Sequence, residues 1–109
     1  MSYDIWLEID TGSGEPQTVM EVGNYTSNVG PMWCDALGGK LLREYKGAPC
    51  SEAAGPLAVA VKRMEAKPEK YREMEPGNGW GDYEGALGFL RCLAEACAQH
   101  PKCTIGIWA

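Results

Sequence analysis

Two segments of the chain combine residue types that recognise other molecules, 24–33 (NYTSNVGPMW) and 78–83 (NGWGDY). Tryptophan and tyrosine supply rigid contact area, and asparagine and serine supply adaptable hydrogen bonds, as in protein recognition surfaces. We expect Trp33, Trp80 and Tyr83 to act as anchors, with hydrogen bonds from Asn28 and Asp82. The full set of candidate binding residues is Asn24, Tyr25, Asn28, Trp33, Asn78, Trp80, Asp82 and Tyr83.

Two other interpretations of these segments stay open. Each segment leads into a predicted helix, so N–H groups at the helix starts, near Met32 and Asp82, could hold a phosphate or another anion. The second interpretation is structural: the asparagines and Asp82 cap helices, and the two tryptophans anchor the loops in the core.

Other reactive side chains do not form a recognised catalytic or metal-binding pattern. The run 38–40 (GGK) lacks the preceding glycine and the following serine or threonine of a phosphate-binding loop. The group Cys92, Cys97, His100 and Cys103 has poor zinc spacing, because Cys92 and Cys97 point about 140° apart on one helix. The acids Glu8, Asp10 and Glu21 fit the solvent face of a hairpin. We therefore expect no catalytic residue, metal or cofactor.

Length and charge limit the possible functions. The chain has 109 residues, enough for one domain spanning 1–109, and a net charge of −5. Residues 1–40 carry six acidic side chains against Lys40 alone. The absence of a basic face excludes general nucleic-acid binding, and an acidic protein binds anionic membranes poorly. The acidic third is expected to steer a basic partner.

The cysteine count and the N-terminal residues favour the cytoplasm. The five cysteines are odd in number and form no CxxC pair, and residues 1–4 (MSYD) lack the basic start of a signal peptide. No apolar run approaches the ~18 residues of a membrane span. We therefore expect reduced thiols.

Hydrophobic periodicity predicts two strands, several helices and a final strand. Alternation predicts strands over 3–9, 17–22 and 102–108, and it leaves 23–31 as a loop with little to bury. Helical spacing predicts a broken helix over 32–45, a helix from an N-cap at Ser51 to Lys67, a short helix over 68–74 and a long helix from an N-cap at Asp82 to His100. The expected fold is α+β, a three-stranded antiparallel sheet of order 2-1-3 with helices on one face.

The same segments carry a resemblance to a known group of proteins. The residues 3–5 (YDI), 24–29 (NYTSNV), 31–33 (PMW) and 78–84 (NGWGDYE) resemble those of a family of short uncharacterised proteins of actinobacteria and their bacteriophages. The resemblance spans almost the whole chain and implies a phage or actinobacterial protein of the cytoplasm. It implies no catalytic residues.

The leading hypothesis is a small non-catalytic module that binds a cellular protein through loops 24–33 and 78–84. It requires that the two loops meet in space and that their anchors are accessible to solvent. One alternative is a protein or enzyme that binds a nucleotide or another anion. The other is a structural component that self-associates through an exposed edge, either strand 2 or the C-terminal strand.

Overall fold

The computed structural model describes residues 2–12 and 14–108, and its frame is a three-stranded antiparallel sheet. Strand β1 (Ser2–Asp10) lies in the centre, between β2 (Pro16–Thr26) and β3 (Thr104–Trp108). The strand order β2-β1-β3 and the α+β class confirm the prediction from sequence.

The helices follow β2 and cover one face of the sheet. They are α1 (Gly30–Ala36), α2 (Cys50–Ala66), α3 (Pro68–Arg72) and α4 (Tyr83–Gln99). Short 3-10 turns occupy Ser27–Val29 and Leu42–Tyr45.

Alternation along β1 decides which face of the sheet is buried. Tyr3, Ile5 and Leu7 point toward the helices and are buried, whereas Asp4 is exposed on the opposite face. The apolar face of α4 packs against the same layer and contributes Leu90 and other buried side chains to the core. The core therefore lies between the sheet and the helices, as the two periodicities predict.

The prediction of a loop over 23–31 is wrong in two respects. Strand β2 continues to Thr26, because Gly23 to Thr26 pair with the first residues of β1. Val29 is fully buried, so this segment does contribute to the core.

The start of α2 also differs from the prediction. The helix begins at Cys50 after Pro49, so Ser51 is not its N-cap. The cause is a tertiary contact, because the N–H of Cys50 donates to the carbonyl oxygen of Cys103 at 2.8 Å, beside the bridge between Pro49 and Thr104.

This same contact covers one edge of the sheet. The N–H of Gly47 donates to the carbonyl oxygen of Ile105, and the N–H of Ile105 donates to the carbonyl oxygen of Ala48. The expectation of an exposed edge on the C-terminal strand is therefore wrong. Strand β2 forms the other edge, and its pairing with β1 shifts register between Ile5 and Trp6 and between Leu7 and Glu8. Such irregularities hinder strand addition by a second chain.

Candidate functional site

The two candidate loops meet, as the leading hypothesis requires. The hydroxyl of Tyr25 accepts a hydrogen bond from the backbone N–H of Asp82 at 3.1 Å, and it lies 3.5 Å from the Asp82 carboxylate. Tyr25 comes from the end of β2 and Asp82 from the start of α4, so this contact joins the sheet layer to the helical layer.

Two glycines permit the close approach of the loops. A Cβ atom at Gly85 would overlap the hydroxyl of Tyr25. A Cβ at Gly81 would lie 2.7 Å from Thr26 and 2.8 Å from Val29, and the φ of +99° at Gly81 also favours glycine. The packing therefore depends on the absence of side chains at these two positions.

An open cleft of about 710 Å³ lies along the junction of the two loops. Trp80 is 66% exposed at its rim, between two glycines, and its backbone N–H donates to the side-chain oxygen of Asn78 at 3.0 Å. The cleft is lined by Ser2, Asn24, Tyr25, Thr26, Asn28, Asn78, Trp80 and Gly81. Five of the eight predicted binding residues are in this lining.

The asparagines of the cleft differ in how they are held. The amide of Asn24 donates to Ser2, to the carbonyl of Tyr3 and to Asp4, at 2.9–3.2 Å. The side chain of Asn28 is exposed and makes no hydrogen bond within the described residues. Its amide is therefore available to a ligand.

The prediction that Trp33 is an exposed anchor is wrong. Its side chain has no exposed surface, and its indole N–H donates to the carbonyl oxygen of Ala86 at 3.1 Å. The ring lies 5.6–6.1 Å from the rings of Tyr3, Tyr25 and Phe89. Trp33 thus belongs to a buried aromatic cluster, because it lies on the inner side of α1.

Tyr83 is also buried, so its assignment as an anchor is wrong as well. It is 5% exposed, and its hydroxyl donates to the carbonyl of Met64 at 2.7 Å. The guanidinium of Arg72 lies over its ring at 5.0 Å and pairs with Glu84 at 2.7 Å, which lowers the pKa of the Glu84 carboxyl.

Asp82 caps α4, as the sequence predicts. Its carboxylate accepts from the N–H of Gly85 at 2.7 Å, and the carboxylate of Glu75 accepts from the N–H of Tyr83 at 2.7 Å. Two carboxylates of the protein thus occupy the place where an anion would bind. The start of α4 is therefore a poor phosphate site.

A second polar cluster lies on the helical layer. The carboxylate of Asp35 accepts from Lys70 at 2.9 Å and from the hydroxyl of Tyr71 at 2.8 Å, and these two bonds lower the pKa of Asp35. Burial, together with the bond to Asp35, raises the pKa of Tyr71 to about 12. These contacts fasten α3 to α1.

The cysteines divide by depth. Cys50, Cys97 and Cys103 are buried, and desolvation raises the pKa of the Cys50 and Cys97 thiols. Cys92 is exposed and Cys34 is partly exposed. Across residues 2–12 and 14–108, no group of three or more histidine, cysteine or acidic side chains is placed to hold a metal ion.

The predicted site did not include two tryptophans of the sheet. Trp6 and Trp108 lie on the face opposite the helices, and Trp108 is 73% exposed. The alternation of residues in β1 and β3 predicts this position, because Trp6 and Trp108 alternate with the buried residues and so lie on the opposite face of the sheet.

Within the described part of the chain, no helix has the length and apolar character needed to cross a bilayer. Comparisons of the chain with protein-family models, with curated proteins and with solved structures found no match.

Proposed function

We propose that the protein is a small non-catalytic module that binds a protein partner through the cleft between 24–28 and 78–82. The observation that carries the proposal is the exposed indole of Trp80 at the junction of two loops held together by Tyr25 and Asp82. A large aromatic side chain on a supported loop is a common anchor in protein recognition, since little conformational entropy is lost on binding.

The chemistry of the cleft supports binding rather than catalysis. The polar side chains that line it, among the described residues, are three amides and the hydroxyls of Ser2, Tyr25 and Thr26. Amides and hydroxyls give directional hydrogen bonds, but general acid–base catalysis near neutral pH needs a group whose pKa lies close to that pH.

The anion-binding alternative has less support. A cleft of about 710 Å³ is large enough for a small ligand. However, no basic residue lines it among the residues that the structure describes, and the carboxylates of Asp82 and Glu75 accept hydrogen bonds from N–H groups in the first turn of α4.

The resemblance to proteins of actinobacteria and their phages suggests where to find the partner. We propose that it is a cellular protein of the actinobacterial cytoplasm, and a host protein if the chain is phage-encoded. A physical association with one defined protein is the property to test.

The test uses immobilised protein and an actinobacterial lysate, followed by reconstitution with the purified captured protein. The double variant Trp80→Ala, Asn28→Ala removes two of the exposed side chains that line the cleft. Val59→Ala is the matched control, because Val59 is an exposed apolar residue on α2. We expect wild type and the control to bind stoichiometrically and the double variant to lose most of the affinity.

Two results would contradict the proposal. One is the absence of a protein that binds the purified wild type directly. The other is equal binding by wild type and a folded double variant, which would return Trp80 and Asn28 to a purely structural role.

A further inference from the structure

The outer face of the sheet, opposite the helices, places carboxylates beside tryptophans. Strand register sets Asp4 opposite Trp108 on β3, and it sets Trp6 opposite Glu21 on β2. The third carboxylate, Glu8, lies one row further along β1 and accepts a hydrogen bond from the indole N–H of Trp6 at 3.0 Å. Each indole therefore has a carboxylate as its direct neighbour.

The Trp6 ring is fixed by its neighbour on β3. A Cβ atom at Gly106 would overlap the indole, so the ring lies directly over the backbone at this glycine. Trp108 is 73% exposed and borders the same surface. A cavity of about 390 Å³ is lined by Asp4, Trp6, Glu21 and Trp108, together with Ile5, Gly23 and Asn24.

The charge of this face is not compensated within the sheet. The three strands contain four acidic residues and no lysine, arginine or histidine. The three ion pairs among the described residues join α3 to α1 and to α4, and α2 to α4. In the same part of the chain, the Glu21 carboxylate has no hydrogen-bond or ion-pair partner.

This combination fits an arginine side chain. A guanidinium can stack with its flat face on an indole while the N–H groups at its edge pair with a carboxylate. It is also more weakly hydrated than an ammonium group. We propose that the outer sheet face, defined by Asp4, Trp6, Glu21 and Trp108, binds an arginine-bearing segment of a protein. The outer sheet face borders the cleft of Trp80 at Asn24, which lines both cavities. Its four defining residues are not among the described residues that line the cleft, so this proposal does not depend on the proposed function.

The four tryptophans allow a direct test by nuclear magnetic resonance. Each indole N–H gives its own signal, which can be assigned with single Trp→Phe variants. The probe is a short peptide of alternating arginine and glycine, titrated into the 15N-labelled full chain at low salt. We expect the signals of Trp6 and Trp108 to shift, while those of buried Trp33 and of Trp80 in the cleft stay in place.

Variants and matched peptides measure the specificity. We expect Trp108→Ala and Glu21→Gln each to weaken binding of the peptide about threefold to tenfold. Glu52→Gln, an exposed acid in the first turn of α2, is the charge-matched control and should leave the affinity unchanged. A peptide with citrulline, the neutral counterpart of arginine, should not bind, and a lysine peptide should bind more weakly.

Four outcomes would overturn the proposal. They are the absence of any shift, a shift confined to Trp80, equal weakening by Glu52→Gln and Glu21→Gln, and equal affinity for the arginine and lysine peptides. A shift confined to Trp80 would assign the peptide to the cleft. Equal weakening by Glu52→Gln and Glu21→Gln would show that the peptide binds through the net charge of the protein alone.

Discussion

The hydroxyl of Tyr25 accepts the backbone N–H of Asp82 at 3.1 Å, although the two residues are 57 positions apart in the chain. This bond joins the end of β2 to the N-cap of α4. The C-terminal end of the Trp80 loop is therefore fixed, and the geometry of the cleft depends on how closely Tyr25 approaches the helix.

Replacing Gly85 by alanine tests that approach. Alanine normally stabilises a helix interior relative to glycine by about 0.5–1 kcal/mol. At Gly85 the new methyl would overlap the Tyr25 hydroxyl. We expect Gly85→Ala to lower the free energy of unfolding by about 1–3 kcal/mol, measured by urea denaturation.

The control for this change is in the same helix. A Cβ atom at Gly88 would meet no heavy atom within 4 Å, so Gly88→Ala should raise stability by roughly 0.5–1 kcal/mol. Stabilisation by both substitutions would show that Tyr25 does not press against α4.

Trp33 and Trp80 should differ in how much each contributes to stability. Trp33→Phe removes part of a buried ring and its hydrogen bond to Ala86, and it should cost about 1–3 kcal/mol of unfolding free energy. Trp80→Ala removes an exposed side chain and should change stability by less than about 0.5 kcal/mol. Thermal unfolding followed by circular dichroism distinguishes them, and a large loss of stability in Trp80→Ala would show that its indole is part of the core.

Alkaline pH should weaken the fold through Tyr71. Its folded-state pKa is raised from 10.0 to about 12, chiefly by burial. A raised pKa stabilises the fold below the unfolded-state value, and this contribution is lost as pH rises from 10.0 toward 12. We expect the stability of wild type to fall more steeply over this range than that of Tyr71→Phe. Equal slopes in urea denaturation at several pH values would contradict the assignment.

Acidic pH should weaken the fold through Asp35, whose pKa is lowered in the folded state. Bonds from Lys70 and Tyr71 lower its pKa below 3.8, so its stabilising effect is present above that value and lost as pH falls through the folded-state pKa. Asp35→Asn should be less stable than wild type at neutral pH, and the difference should shrink in acid. A difference that is constant with pH would exclude the charged pair as its source.

Thiol labelling should follow the depth of the five cysteines. Cys92 is exposed and should react first with a thiol reagent, followed by the partly exposed Cys34. Cys50, Cys97 and Cys103 should react only at the rate of unfolding. Cys92→Ser should remove the fastest phase, whereas rapid labelling of all five in native protein would contradict the burial.

Periodicity and capping are enough to predict strand β1, the cap at Asp82 and the apolar face of α4. Each of these features depends on residues that are close together in the sequence. In β1, apolar and polar residues alternate; in α4, apolar residues recur at helical spacing after the capping side chain of Asp82. The start of α2 is not predictable in this way. Its first N–H binds Cys103, a partner that only the fold brings near.

The candidate site is predictable in part for the same reason. The sequence identifies the two loops and Trp80, but composition alone does not distinguish Trp80 from Trp33. The two indoles differ because Trp33 falls on the inner side of a short helix against Phe89, while Trp80 sits in a glycine-flanked turn. Burial is a tertiary property, so residue type does not specify it.

The uneven distribution of acidic residues has an electrostatic consequence for the molecule as a whole. Residues 2–26 contain five acids and no basic residue, equal to the whole net charge of −5, and the remaining acids and bases cancel. The fold places these acids on the sheet and its connecting turn, so the molecule has a permanent dipole moment with its negative end there. On a cationic surface it should adsorb in one orientation, sheet first, leaving the helical layer toward the solvent.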